Sequence, residues 1–288
     1  MKLMNEDLFF SHYPKRRSDS NKYDNGIVAF VSGSYGMAGA AILNLIGARS
    51  VGVSYIHSFL PHEIYPIVAA KEIRAVYHPY DAQNQDQFKD RKLLRRIDAI
   101  CIGSGINQLP YRKEYLSDLF DMADIPSIID AEGLRILADD HELIRKNRNL
   151  ILTPHLGEFA ALCHKKISEI KKNREEIAVN YAKENSVILV LKGKNTLVVS
   201  PEGKIYVNDS GNEALARAGS GDILSGMICG LCALYDDPYL ATKDAVWLHG
   251  HLCDLAMKES SVEIFDLLSY PKLADSFFFG YRRHTEEN

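Results

Sequence analysis

The spacing of apolar and polar positions changes character repeatedly along the chain. Short apolar or β-branched runs at 27–31 (IVAFV), 51–57, 99–102 (AICI), 127–129, 150–152 and 187–191 read as strands, several of them buried on both faces. Between them, residues 37–49 place Ala and Ile at helical spacing, 89–97 is amphipathic and polar, 111–121 is helical, and 168–185 reads as one charged surface helix. The stretches 196–200 and 205–208 flank Pro201-Glu202-Gly203 and predict a hairpin. Residues 223–235 read as an uncharged, buried helix, and 238–257 as a further helical stretch. Alternation of this kind predicts an α/β layer fold with a mainly parallel sheet and an antiparallel part at one edge. No repeat and no long Pro/Gly/Ser linker divides the chain.

Composition narrows the class. The chain has 288 residues, 46% of them hydrophobic, and 34 basic against 38 acidic side chains give a net charge of −4. That excludes a collagen, a disulfide mini-protein and a disordered chain, and leaves no basic footprint for nucleic acid or an anionic membrane. Five widely spaced cysteines and an N-terminus without an apolar signal core predict a cytoplasmic protein. Residues 26–48 carry no charge over a length that could span a bilayer. Their five glycines, with Ser32, Ser34, Tyr35 and Asn44, instead predict strand, glycine loop and small-residue helix.

Candidate chemistry gathers where the predicted strands end. SGSYG, GSG, Asp130, TPHLGE and LKGKNT each follow a strand, and open parallel sheets bind ligands at that edge. The most specific stretch is 208–222, NDSGNEALARAGSGD, ahead of the uncharged helix. Gly219, Ser220 and Gly221 would offer backbone N–H groups to an anion. Asp222 then reads either as a first-turn carboxylate or as a general base facing a bound phosphate. Lys192, Gly193, Lys194, Asn195 and Thr196 read as a solvated turn or a phosphate and ribose contact; neither a Walker loop nor GxGxxG is present. His155 and Glu158 share a helix face, Glu158 serving either a magnesium-bound water or a capping box. Cys229 and Cys232 (CGLC) read as packing, and His249 and His251 as structural or surface residues. The run 277–279 reads as core or subunit packing.

VSGSYGMAGAAIL, IGSGI, DAEGL, ILTPHLGEF, VLKGKNT and NDSGNEALARAGSGDILSGMICGL, in this order and spacing, resemble the ADP/ATP-dependent NAD(P)H-hydrate dehydratases over roughly residues 20–270. The resemblance implies a three-layer ribokinase-like fold, a mainly parallel sheet with helices on both faces. It implies an N-terminal extension (1–20), one domain (21–280), a frayed tail (281–288) and a stand-alone dehydratase. The implied reaction uses ADP or ATP to phosphorylate the ring hydroxyl of NADHX or NADPHX, after which phosphate leaves and NADH or NADPH is restored. ADP is the expected donor, and both hydrates are expected substrates. By the same resemblance Asp222 is the catalytic base and Gly219, Ser220 and Gly221 are the anion hole. Ala40, Gly105, His155 and Asp222 would contact the hydrate. Lys192 to Thr196 and Gly221 would contact the nucleotide, with Asn212 and Asp130 as further contacts. Mg2+ is the implied metal, near Glu158, and a homotetramer the implied assembly. Leu156, Ala218 and DAEGL depart from the family's usual Pro, Gly and DADAL, which leaves the role of Asp130 open. The alternatives are a vitamin-precursor-type kinase of the same superfamily and a catalytically dead nucleotide-binding protein. An intact Asp222 behind AGSG argues against the latter.

Overall fold

A computed structural model describes residues 4–81, 95–106, 112–122, 124–258 and 261–286. The elements, in order, are α1 (Glu6–His12), β1 (Ile27–Val31), α2 (Ala38–Ser50), β2 (Tyr55–Pro61), α3 (Tyr65–Lys71), β3 (Val76–Tyr80), β4 (Ala99–Ile102), α4 (Arg112–Met122), β5 (Ser127–Ile129), α5 (Glu132–Asp139) and β6 (Leu150–Leu152). The series continues with α6 (Leu156–Leu162), α7 (Ile167–Lys172), α8 (Arg174–Asn185), β7 (Ile188–Leu191), β8 (Leu197–Val199), β9 (Ile205–Val207), α9 (Ser220–Cys232), α10 (Pro238–Ala256) and α11 (Tyr270–Glu286).

The strands form one nine-stranded sheet in the order β3-β2-β1-β4-β5-β6-β7-β8-β9. Pairings from β3 through β7 are parallel, and β7-β8-β9 are antiparallel, as the hairpin at 201–203 predicts. Two hydrophobic clusters cover the faces: Val28 and Phe30 belong to one, Ala29 and Val31 to the other. Burial on both faces is why β1 reads as an unbroken apolar run. Strand order reverses between β1 and β4, so five adjacent parallel strands, β1-β4-β5-β6-β7, deliver their carboxyl ends to one edge. There the loops interlock: Gly33 N–H donates to Ser104 O at 2.8 Å, and Ser34 Oγ to Gly105 O at 2.7 Å.

Helix α9 carries the candidate anion site, and its position is set by very close packing on α2. A Cβ on Gly226 would lie 2.2 Å from Asn44 O, and one on Gly47 2.2 Å from Ile223 O. Backbone carbonyls cannot swing aside as side-chain tips do, so Gly226→Ala should force the helices apart. We expect a loss of about 1–3 kcal/mol, the usual cost of overpacking, together with weakened anion binding at the start of α9. Urea denaturation and phosphate titration of the variant check this; unchanged stability would show that the helices are free to separate.

The structure also corrects several expected elements. The strand expected at 51–57 begins only at Tyr55, because Val51 caps α2 and Gly52 turns with φ +86°. The helix expected over 168–185 is two, broken at Asn173, whose backbone leaves the helical region. Helix α9 starts three residues before the predicted 223, because the small residues of the loop are its first turn. Helix α11 runs as far as Glu286. The N-terminal extension is anchored as well: Phe9 is buried against the rings of Trp247 and Phe277, at 5.7 and 5.9 Å. The amphipathic segment expected at 89–97 lies mostly outside the described residues, as does residue 111. Cys229 and Cys232 are buried packing residues, as expected, and Phe277 is buried while Phe279 is exposed. The uncharged 26–48 segment is β1, a loop and α2, and no helix among the described residues is long and apolar enough to cross a membrane.

Candidate active site

The carboxyl ends of β5 and β7, the loop before α9 and one face of α10 enclose a cavity of about 910 Å³. It brings together Asp130, His155, Lys192 to Thr196, Asn212 and Gly219 to Asp222. Ala40 and Gly105 are not among its wall residues. They meet each other at the β1/β4 crossing, where a Cβ on Gly105 would lie 2.7 Å from Ala40 Cβ.

Asp130 follows β5 and is only 2% exposed. It is fully engaged: Lys192 Nζ donates at 2.9 Å, Thr153 Oγ1 at 2.8 Å and Ser104 Oγ at 3.2 Å. Burial pushes the Lys192 ammonium toward neutrality, but Asp130, Glu158 and Asp222 together outweigh that and raise its pKa. The structure therefore makes Asp130 the anchor of the Lys192 ammonium. Lys192 reaches across to the start of α9, with Nζ 3.4 Å from where a Gly221 side chain would begin.

Gly219 caps α9 with φ +92°, a left-handed conformation in which a Cβ would also lie 2.4 Å from Leu43 Cδ1. The first intrahelical bond is Ile223 N–H to Gly219 O, at 3.2 Å. The N–H groups of Gly221 and Asp222 precede it, so they have no carbonyl one turn back and are oriented for an anion. Asp222 sits among them. Burial, and then the charge of Asp130, push its carboxyl up to about 7, against the opposing Ser104 hydrogen bond and the Lys192 charge. Position alone left a simple first-turn carboxylate and a base equally open. A carboxyl lifted to about 7 beside a helix start with free N–H groups fits a proton acceptor working near neutrality.

His155 caps α6. Its Nδ1 accepts the N–H groups of Gly157 and Glu158 at 3.0 and 3.1 Å, which assigns the neutral ring's proton to Nε2. Glu158 Oε2 accepts the His155 N–H at 2.8 Å, completing the capping box that the sequence left open as one alternative. His155 is otherwise open, 62% exposed at its side chain, with Nε2 3.5 Å from Glu158 Oε1.

Several residues of the site carry no clear mark in the sequence. Asn44 is buried and ties α2 to the site, its Nδ2 donating to Asp222 O at 2.8 Å and Ser225 Oγ at 3.1 Å. Its signal was visible as the one amide in a run of small apolar residues. Asp254 accepts Gly211 N–H and Asn212 Nδ2, both at 2.7 Å, and so fixes the NDSGN loop. Arg217 fastens the same loop through Phe265 O and Val262 O. His249, expected to be merely structural or at the surface, is a buried wall residue of the cavity. Its Nε2 lies 3.5 Å from Ser220 Oγ, and burial lowers its pKa to about 4. His251 faces out, stacking on Trp247 and pairing with Glu6 at 3.1 Å.

Comparison with known proteins shows the family. A family model described as NAD(P)H-hydrate dehydratase matches residues 28–270. The chain belongs to this family. It is 32% identical to an ADP-dependent (S)-NAD(P)H-hydrate dehydratase of Bacillus subtilis, covering 86% of this chain and 87% of that protein. It is 34% identical to the protein of the same name in Neisseria meningitidis, over 90% and 86% of the two chains. A bifunctional NAD(P)H-hydrate repair enzyme of Moorella thermoacetica is 32% identical over 86% of this chain; there the match spans 48%, about half, of the relative. The fold superposes on the crystal structure of the Bacillus subtilis ADP/ATP-dependent NAD(P)H-hydrate dehydratase co-crystallised with ATP/Mg2+. The TM-score is 0.81 at 28% identity, with 97% and 98% of the chains covered. The dehydratase family thus places its members' fold, a mainly parallel α/β sheet with helices on both faces, on this chain, as the sequence predicted.

Proposed function

We propose that this protein dehydrates NADHX and NADPHX at the expense of ADP, or of ATP. The observation that carries the reading is Asp222, a carboxyl raised to about 7, at the first turn of a helix whose N–H groups face a large cavity. The hydrate's ring hydroxyl approaches Asp222, which takes its proton. The hydroxyl oxygen bonds to the terminal phosphorus of ADP, and the bond from that phosphorus to the bridging oxygen breaks, releasing AMP. The C–O bond then breaks, so that inorganic phosphate leaves carrying the ring oxygen, while the neighbouring ring carbon gives up a proton to solvent and its C–H electron pair forms the restored nicotinamide double bond. The turn of Gly219 to Gly221 holds the transferring phosphoryl, through the N–H groups of Gly221 and Asp222, and Lys192 adds positive charge on its other side. Lys192 to Thr196 and Asn212 serve the nucleotide, while Ala40, Gly105 and His155 serve the hydrate.

Mg2+ belongs to this reading in a limited form. No cluster of three or more acidic, His or Cys side chains suited to a metal occurs among the described residues. Mg2+ commonly takes one or two carboxylates beside phosphate oxygens. Glu158 is not a wall residue of the cavity and its Oε2 accepts the His155 N–H, but its charge acts on Lys192, a wall residue, which makes it the carboxylate of this proposal. When bound beside Glu158, the ion would supply charge neutralisation to the nucleotide phosphates. A homotetramer and a cytoplasmic location complete the proposal.

Incubating the purified protein with hydrated NADH and ADP, and following the NADH absorbance band, tests the function. Recovery of NADH supports it; a stable phosphorylated alcohol in its place would favour a small-molecule kinase. The pH profile tests the base. Because Asp222 must be ionised to accept a proton, kcat/KM should fall about tenfold per unit as pH drops below about 7. A profile flat down to pH 5 would remove Asp222 from the proton transfer.

A further inference from the structure

Helix α8 begins with an arginine that is not among the wall residues of the cavity. The Arg174 guanidinium donates to three backbone carbonyls of the neighbouring loop: Leu191 O at 3.0 Å, Lys194 O at 3.1 Å and Asn195 O at 2.9 Å. A fourth carbonyl, Gly193 O, accepts Thr196 Oγ1 at 2.9 Å. In a trans peptide the N–H points opposite to the C=O of the same plane. Drawing the Leu191 oxygen to one side sends the Lys192 N–H to the other, where it meets Pro154 O at 2.9 Å. By the same geometry, drawing the Lys194 and Asn195 oxygens toward Arg174 turns the N–H groups of Asn195 and Thr196 away from it. Both residues line the cavity. The turn that permits this is unusual, with Asn195 at φ +55° and Gly193 at φ +141°. A turn with those torsions keeps its shape more firmly when something outside it holds the carbonyls.

We infer that Arg174 is a positioning residue for the nucleotide: it holds the 192–196 loop so that two main-chain N–H groups face the phosphates or ribose in the cavity. It touches neither reactant. A planar fork reaching three carbonyls suits arginine, whereas a lysine ammonium has one compact centre and would hold fewer of them. The inference rests on the nucleotide reading of this loop proposed above.

The test uses the full chain with Arg174→Ala and Arg174→Lys, ADP calorimetry and steady-state kinetics. Arg174→Ala should raise the Kd and KM for ADP by about tenfold or more, as expected for losing hydrogen bonds from a charged donor. The KM for the hydrate, and kcat at saturating ADP, should change by less than about threefold. Millimolar guanidinium should restore much of the ADP affinity, which general damage to the fold would not allow. Arg174→Lys should lie between the two. If Arg174→Ala does not fold, Arg174→Lys is read by the same split between ADP and hydrate. ADP affinity within twofold of the parent, or equal losses for both substrates without guanidinium rescue, overturns the inference while leaving the dehydratase reading intact. A parent protein that binds no ADP overturns both.

Discussion

Asp222→Asn is expected to lower turnover by about 10²–10⁴-fold, the contribution of a positioned general base, while ADP binds nearly as before. The amide keeps the shape of the carboxyl and leaves the N–H groups around it in place, so the loss should fall on kcat rather than on nucleotide affinity. The same substitution should stabilise the protein at alkaline pH. Asp222 is raised from 3.8 to about 7 in the folded state, so between those values the folded chain holds a proton that the unfolded chain has lost. Stability contributed by this group therefore declines as pH rises through that window and stays low above it. The Asn variant has no such decline. Its Tm should exceed the parent's at pH 8 and approach it near pH 4. Near-normal turnover, or a Tm gap that grows toward acid pH, would contradict the assignment. A residue retained although it costs stability is the expected signature of function in a fold otherwise well satisfied.

Lys192→Met is the second large effect. It removes the cation paired with the buried Asp130. Breaking a buried pair from one side commonly costs about 3–5 kcal/mol, because the remaining charge stays buried. Thr153 and Ser104 still hydrogen-bond Asp130, which places the expectation at the lower end of that range. Urea denaturation at pH 8 checks it. Removing Lys192 also takes away a charge that stabilises ionised Asp222, so any residual activity should require a higher pH than in the parent. Pairing Lys192→Met with Asp130→Asn separates the effects: stability should largely return, because no unpaired charge remains, but activity should not. Failure of stability to recover would show that packing, rather than charge, dominates at this position.

Much of the site was legible in the sequence because its chemistry follows strands. Asp130, Lys192 and the GSG of 103–105 each stand one residue beyond a buried apolar run, and a parallel sheet carries such positions to one edge. The three small residues before Asp222 were legible too, since a simple helix cap does not require them. What stayed hidden was held by long-range contacts. Arg174 and Asp254 look like ordinary surface charges on polar helix faces, and only the fold brings them to loops 17 or more residues away. His249 differs from His251 only in which side of α10 it occupies, and a two-residue spacing does not say which side is the cavity. Edge elements were missed for a related reason. Strand β3 (VYHPY) carries a proline and mixed polarity suited to an edge, so it gives no clean apolar period. The break at Asn173 in the one long helix expected over 168–185 stayed hidden because nothing in the charge pattern marks the bend that aims Arg174 at the loop.

In the proposed reaction, phosphoryl transfer to the ring hydroxyl precedes loss of that oxygen. Hydrate carrying a heavy-oxygen label in the hydroxyl, turned over once with unlabelled ADP, reads this out by mass spectrometry of the products. The label should leave in inorganic phosphate, since the oxygen bonded to phosphorus before its bond to carbon broke. Label recovered in water, with NADH formed at the normal rate, would contradict this order of events.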